Sequence, residues 1–174
     1  MKKLLIVCVL IVVCAALCAC EPAEYVLTES NFFRIMTNMT FNPEGYLGKD
    51  ITFDSFTYRL TDTDGNEYMC AVRKCSSGYG CKCGKDTIIG FILDYDGDIP
   101  EPKNQSEDTV EKTWIHTKGQ LVNAEKVYIN IFAYNEAGEI DHSAAPETVF
   151  FYTFKVQEME LVQEYANLAY YVTK

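Results

Sequence analysis

Two hydrophobic rhythms run along the chain, and the places where they change predict its elements. Leu4 to Ala16 is an almost unbroken apolar run behind Met1-Lys2-Lys3. After Ser30, the apolar residues Phe32, Phe33, Ile35, Met36 and Met39 recur at three- and four-residue steps, which places them on one face of a short α-helix. Ser30 stands at the expected N-cap, and Asn42-Pro43-Glu44-Gly45 ends the helix. From Ile51 the period falls to two. Ile51 and Phe53 share one strand phase and Phe56, Tyr58 and Leu60 the other, a change expected of a bulge or sharp bend. Asp64-Gly65 predicts a hairpin turn into Tyr68–Lys74. Thr87–Tyr95 is apolar almost throughout, as in a strand covered on both faces, with Gly90 marking a bend or a close contact. Asp96–Val110 is polar and proline-bearing and predicts an exposed loop. Thr113–Leu121, Val127–Tyr134 and Val149–Met159 resume the strand pattern, with turns over Asn135–Glu147. Leu161–Lys174 suits either a strand or ordered coil. Five or six strands and one helix make a mainly β domain, a small barrel or sandwich.

The first apolar run belongs to a different part of the protein. A charged start, an apolar stretch too short to span a bilayer as a helix, and a small-residue ending are the parts of a secretory signal peptide. Its ending, Leu17-Cys18-Ala19-Cys20, resembles the bacterial lipoprotein lipobox. That resemblance implies cleavage after residue 19 and diacylation of Cys20, two chains being enough for stable anchoring. An uncleaved N-terminal span, or secretion with Cys20 unmodified, are the competing readings. Cys14 suits lipidation less well, because Val12 and Val13 precede it. The expected organisation is a signal peptide at 1–19, a lipid-anchored tether at 20–29 and a folded domain at 30–174. This places the protein on the extracytoplasmic face of a bacterial cell membrane.

The formal charge is −10, and it becomes −12 without residues 1–19, which hold Lys2 and Lys3 and no acid. An acidic body with no Lys/Arg cluster argues against nucleic acid, whose affinity rests on phosphate neutralisation.

Tyr46–Tyr58 (YLGKDITFDSFTY), the Arg73 and cysteine segment, Gly90–Leu93 (GFIL), Trp114–Leu121 (WIHTKGQL) and the late Tyr170–Val172 follow a familiar order. Together they resemble the soluble C-terminal domain of the YcgQ-like family of bacterial permease subunits, over roughly residues 30–174. The resemblance implies a small OB-like (oligonucleotide/oligosaccharide-binding type) barrel of five to six strands, preceded by one short helix and an Asn-Pro turn, here Asn42-Pro43. It implies no activity. This chain departs from the family pattern: Cys81-Lys82-Cys83 stands where the family has adjacent cysteines, and the membrane-spanning half is replaced by the lipidation signal.

Candidate chemistry concentrates at Cys70, Cys75, Cys81 and Cys83. Cys81-x-Cys83 could offer two thiolates to Zn²⁺ or a softer ion from one glycine-rich loop, with Cys75 as a third ligand and Cys70 as a fourth. In an exported protein the same four residues more commonly form two disulfides. Thioredoxin-type catalysis would need Cys-x-x-Cys opening a helix, which is absent. His116, on the phase of Trp114, is expected to be a packed or edge histidine, or a supplementary metal ligand. His142 is expected in a solvated loop. Asp94, Asp96 and Asp98 read as an exposed acidic turn, since the spacing is not that of a Ca²⁺ loop. No catalytic motif is present, so an enzyme is not expected. The readings are a lipid-anchored binding module for an unidentified ligand, a metal-handling lipoprotein working with a transporter or other envelope protein, and a structural or assembly lipoprotein whose cysteines fasten a loop.

Overall fold

The computed structural model describes residues 24–75, 87–107, 109–132 and 143–172. Its elements are β1 (Glu24–Leu27), α1 (Phe32–Phe41), a 3-10 turn (Pro43–Tyr46), β2 (Asp50–Thr61), β3 (Glu67–Cys75), β4 (Thr87–Asp94), β5 (Trp114–Leu121), β6 (Val127–Ile131), β7 (Glu147–Leu161) and β8 (Tyr171–Val172).

Five of the strands close a ring. β2 pairs antiparallel with β5 through Ile51–Phe56 and with β3 through Phe56–Thr61. β3 pairs antiparallel with β4, β4 parallel with β7, and β7 antiparallel with β5. The mainly β, OB-like expectation holds, with three short strands added outside the ring. β6 pairs with the first residues of β7. β1 lies parallel on β2 before that strand reaches β3, and β8 lies parallel on β3 after β2 has turned away. The segment read as a tether is therefore partly strand from Glu24, and the tail, expected as strand or ordered coil, holds the two-residue strand β8.

The phase change in β2 has another cause than a bulge. The registers through β2 are continuous, and the irregularity in the ring falls in β7, where Gln157 is the extra residue opposite the Lys118–Gly119 step of β5. What changes along β2 is the layer that covers it. Ile51 and Phe53 face the ring interior, where Phe53, Phe91 and Phe154 meet with centroids 5.0–5.5 Å apart. Phe32, Ile35, Met36 and Met39 of α1 join this inner cluster, which is why the helix is amphipathic. Phe56 and Leu60 point the other way, into an outer cluster with Cys70, Val72, Trp114, Ile129 and Phe151, packed against Tyr165, Leu168 and Tyr170 of the tail. Each fully buried phenylalanine contributes about 1.5–3 kcal/mol of hydrophobic free energy.

Local chemistry sets the connections. Ser30 does not cap α1. Asn31 is the N-cap and makes no capping bond; its side chain accepts from the Thr28 amide and donates to the Val26 carbonyl, fixing the β1–α1 turn. The Asp64-Gly65 hairpin is present, with Gly65 at φ +86°, a left-handed conformation that glycine adopts without strain. Asp62 accepts from the Asp64 and Asn66 amides and the Asn66 side chain. Those bonds, the Asn66 side chain first, hold its carboxyl below the ordinary value. The polar loop after β4 is tied down. Gln105 exchanges two 2.8 Å hydrogen bonds with the backbone of Arg59, standing in for a strand partner, and buried Lys112 donates to the carbonyls of Asn104 and Glu107.

Candidate functional site

β3 carries Cys70 and Cys75 five residues apart, so their side chains leave opposite faces of the strand. Cys70 packs in the outer cluster and Cys75 in the inner one, both as free, buried thiols. Burial pushes each thiol up to about 12, so both are protonated and poor nucleophiles or ligands at neutral pH. The strand therefore keeps Cys70 away from Cys75. Cys20, Cys81, Cys83 and His142 lie outside the described residues. His116 is half-exposed on β5, its Nδ1 2.7 Å from Asp54 Oδ1. Among the described residues, no three His, Cys, Asp or Glu side chains are grouped to hold a metal ion. Lys155 bonds the carboxylates of Asp94 and Asp96, so that acidic turn is partly neutralised from within.

A recess of different chemistry opens at one rim of the ring. It is a cleft of about 450 Å³ between the end of α1 and the β6–β7 pair. Thr40, Phe41, Pro43 and Glu44 form one wall, and Ala124, Lys126, Tyr128 and Tyr152 most of the other. The volume lies within the range of small-molecule sites. Phe41 is 77 % exposed and Tyr128 67 %, unusual for large aromatic side chains. Tyr128 pairs with Phe150 across the strands, centroids 6.0 Å apart, and Phe150 meets Tyr152 at 6.3 Å. Phe150 and Tyr152 share the strand phase of Phe154, so this aromatic row continues the ring's inner face past its rim. The Tyr152 hydroxyl donates to the Thr40 carbonyl at 3.1 Å, satisfying one of the free carbonyls at the helix end. Burial first, and then the charge of Glu44, raise the pKa of Tyr152. Lys126 Nζ stands 4.2 Å above the Phe150 ring. Phe41 falls after the last periodic position of the helix, and that misplaced aromatic was the available sequence signal.

The gap where β2 leaves β3 holds the only arginine among the fully buried side chains of the described residues. Arg73 is 1 % exposed. Its guanidinium donates to the Asp54 carbonyl on β2 (3.1 Å), to both oxygens of Glu29 after β1 (2.8 and 2.7 Å) and to the Ala169 carbonyl just before β8. Phe32 of the inner cluster and Trp114 of the outer one lie 5.3 and 4.9 Å from it, in cation–π contact. Arg73 thus joins the ring to the segments that enter and leave it, and Glu29 also accepts from the Ala169 amide.

A family model described as the DUF1980 C-terminal domain matches residues 19–153. The chain belongs to that family. No curated protein and no solved structure matches it. The DUF1980 C-terminal domain match takes in β1, α1, four ring strands and the start of β7, and so both walls of the cleft. It stops before the end of β7 and before the tail that covers the outer cluster.

Proposed function

We propose that this protein is a lipid-anchored binding module on the extracytoplasmic face of a bacterial membrane, without catalytic activity of its own. Cys20 carries the anchor, and the cleft beside Phe41 and Tyr128 takes the ligand or partner. The observation that carries the reading is that cleft: preformed, aromatic-lined and large enough for a small molecule or a protruding group. The anchor is supported by the lipobox resemblance at Leu17–Cys20. Intact-mass analysis of the protein extracted from membranes tests the first half. A chain starting at Cys20 with two added acyl groups is expected; an unmodified cysteine or a cytosolic protein would sink it. Thiol- or ester-substrate turnover by the purified protein would refute the binding-module half.

A metal-handling reading rests on Cys75, Cys81 and Cys83, because Cys75 ends the strand that leads into the segment holding the other two. Metal analysis with thiol counting on anaerobically purified protein decides it. Two titrated disulfides and no metal would rule it out.

A further inference from the structure

We infer that the cleft rim is a membrane-docking face, so that the partner of the proposed site is the surface of the lipid bilayer itself. The inference rests on the anchored-module reading and takes it one step further.

The argument starts from the length of chain between anchor and fold. Cys20 and Glu24 are four peptide steps apart, and four steps reach at most about 14 Å. Glu24 is already the first residue of β1 and is in register with Asp50 at the start of β2. The Tyr25 ring packs, tilted, with its centroid 4.7 Å from that of Tyr46 in the 3-10 turn that follows α1. The chain therefore enters the fold at the rim that carries the aromatic cleft. A body held on so short a leash cannot turn this rim away from the lipid to which Cys20 is fixed.

The chemistry of the rim agrees with its position. Among the described residues, eight large hydrophobic side chains are exposed. Five of them, Phe41, Leu47, Val122, Tyr128 and Phe150, lie around this rim, on the α1 end, the 3-10 turn, the β5 exit and the β6–β7 pair. Leu161 lies at the other end of the ring, where β7 meets Ile115. Tyrosine and other aromatic side chains settle at the bilayer–water interface, where an apolar ring and a polar tip are satisfied together. Lys126 is the one cation among the described residues lining the cleft, beside Glu44 and Glu125, so the rim has no net positive charge to draw it to lipid phosphates. The acidic body, rim included, gains nothing from an anionic membrane, so orientation rests on the anchor and these apolar contacts.

Full-length protein reconstituted in vesicles of phosphatidylethanolamine and phosphatidylglycerol, with bromine on the acyl chains, tests the inference. The Phe41→Trp and Tyr128→Trp variants replace exposed residues, so the fold should tolerate them. Trp114 is buried and gives a constant background. Each variant is expected to lose more than about half of its added emission to the brominated lipid, as interface-level rings do. A Leu161→Trp variant is expected to lose little. Equal quenching at all three positions, or none at Phe41→Trp and Tyr128→Trp, with Cys20 acylated by mass, overturns the docking face alone. A bare Cys20 overturns the anchor reading and the docking face with it.

Discussion

Replacing Arg73 measures how much of the fold depends on one side chain reaching three separate segments. Arg73→Met keeps an apolar stem between Phe32 and Trp114 but removes every donor. The Asp54 and Ala169 carbonyls then lose bonds to a charged group, each worth about 1.5–3 kcal/mol. Glu29 loses its counter-charge, but its side chain is 39 % exposed and can rehydrate, so that pair contributes about 1 kcal/mol. Overlap between the bonds brings the expected loss for Arg73→Met to about 2–4 kcal/mol. Arg73→Ala adds a cavity beside two rings, and its loss is expected at about 3–5 kcal/mol. Glu29→Gln, which keeps an acceptor, is expected to cost only about 1 kcal/mol. Urea unfolding followed by the emission of Trp114, the chain's single tryptophan, reads all three on one scale. Because Arg73 holds the carbonyl before β8, Arg73→Met is also expected to expose the tail to proteases in the native state. An Arg73→Met variant within about 1 kcal/mol of the parent would refute the reasoning. So would a Glu29→Gln variant as costly as Arg73→Ala, which would put the energy in the ion pair rather than in the joining of segments.

Further expectations follow from buried groups. Cys70 and Cys75 have folded-state values raised to about 12, so stability is complete below the unfolded thiol value near 9 and is lost as pH rises from there towards 12. Each thiol contributes a slope of about 1.4 kcal/mol per pH unit in that window; Cys70→Ala should remove its share, and an unchanged slope would refute the assignment. The same burial predicts that both thiols resist alkylation at pH 8 until the protein is unfolded, and fast native-state labelling of Cys70 would contradict it. Gly90→Ala would set a Cβ 1.9 Å from the Ala71 carbonyl oxygen across the β3–β4 pair, so a loss of about 1–3 kcal/mol or misfolding is expected; a neutral effect would mean the strands are further apart than described. The hydroxyls of Thr57 and Thr117 are buried and find no partner among the described residues, so Thr117→Val is expected to stabilise by about 1 kcal/mol in thermal or urea unfolding, and a loss would show that the hydroxyl is satisfied.

The rhythm of the chain carried most of the ring, because inner-face residues such as Phe53, Phe91 and Phe154 must alternate with outward ones wherever they sit. Rhythm does not name the layer that covers the other face. Phe56, Tyr58 and Leu60 announced burial in the opposite phase, yet nothing near them in sequence says that β6, the start of β7 and the tail supply the cover. A bulge was the local explanation; a second layer about a hundred residues downstream is the actual one, seen in Tyr170 stacking 5.6 Å from Phe56. The same limit hid Arg73, whose partners stand 19, 44 and 96 positions away. It also hid Gln105, whose amide serves a strand 46 residues before it. For the cysteines, spacing of four residues between Cys70 and Cys75 read as a possible shared site, but strand parity alone, once Glu67–Cys75 is a strand, sends them apart. The aromatic cleft needed both kinds of information: Phe41 is visible as an apolar residue out of helical phase, and Tyr128 as one on the polar phase of β6. Each alone reads as an ordinary exposed residue. Their meaning comes from the fold bringing both to the rim where the chain enters β1, which is why the brominated-lipid comparison addresses the pair together.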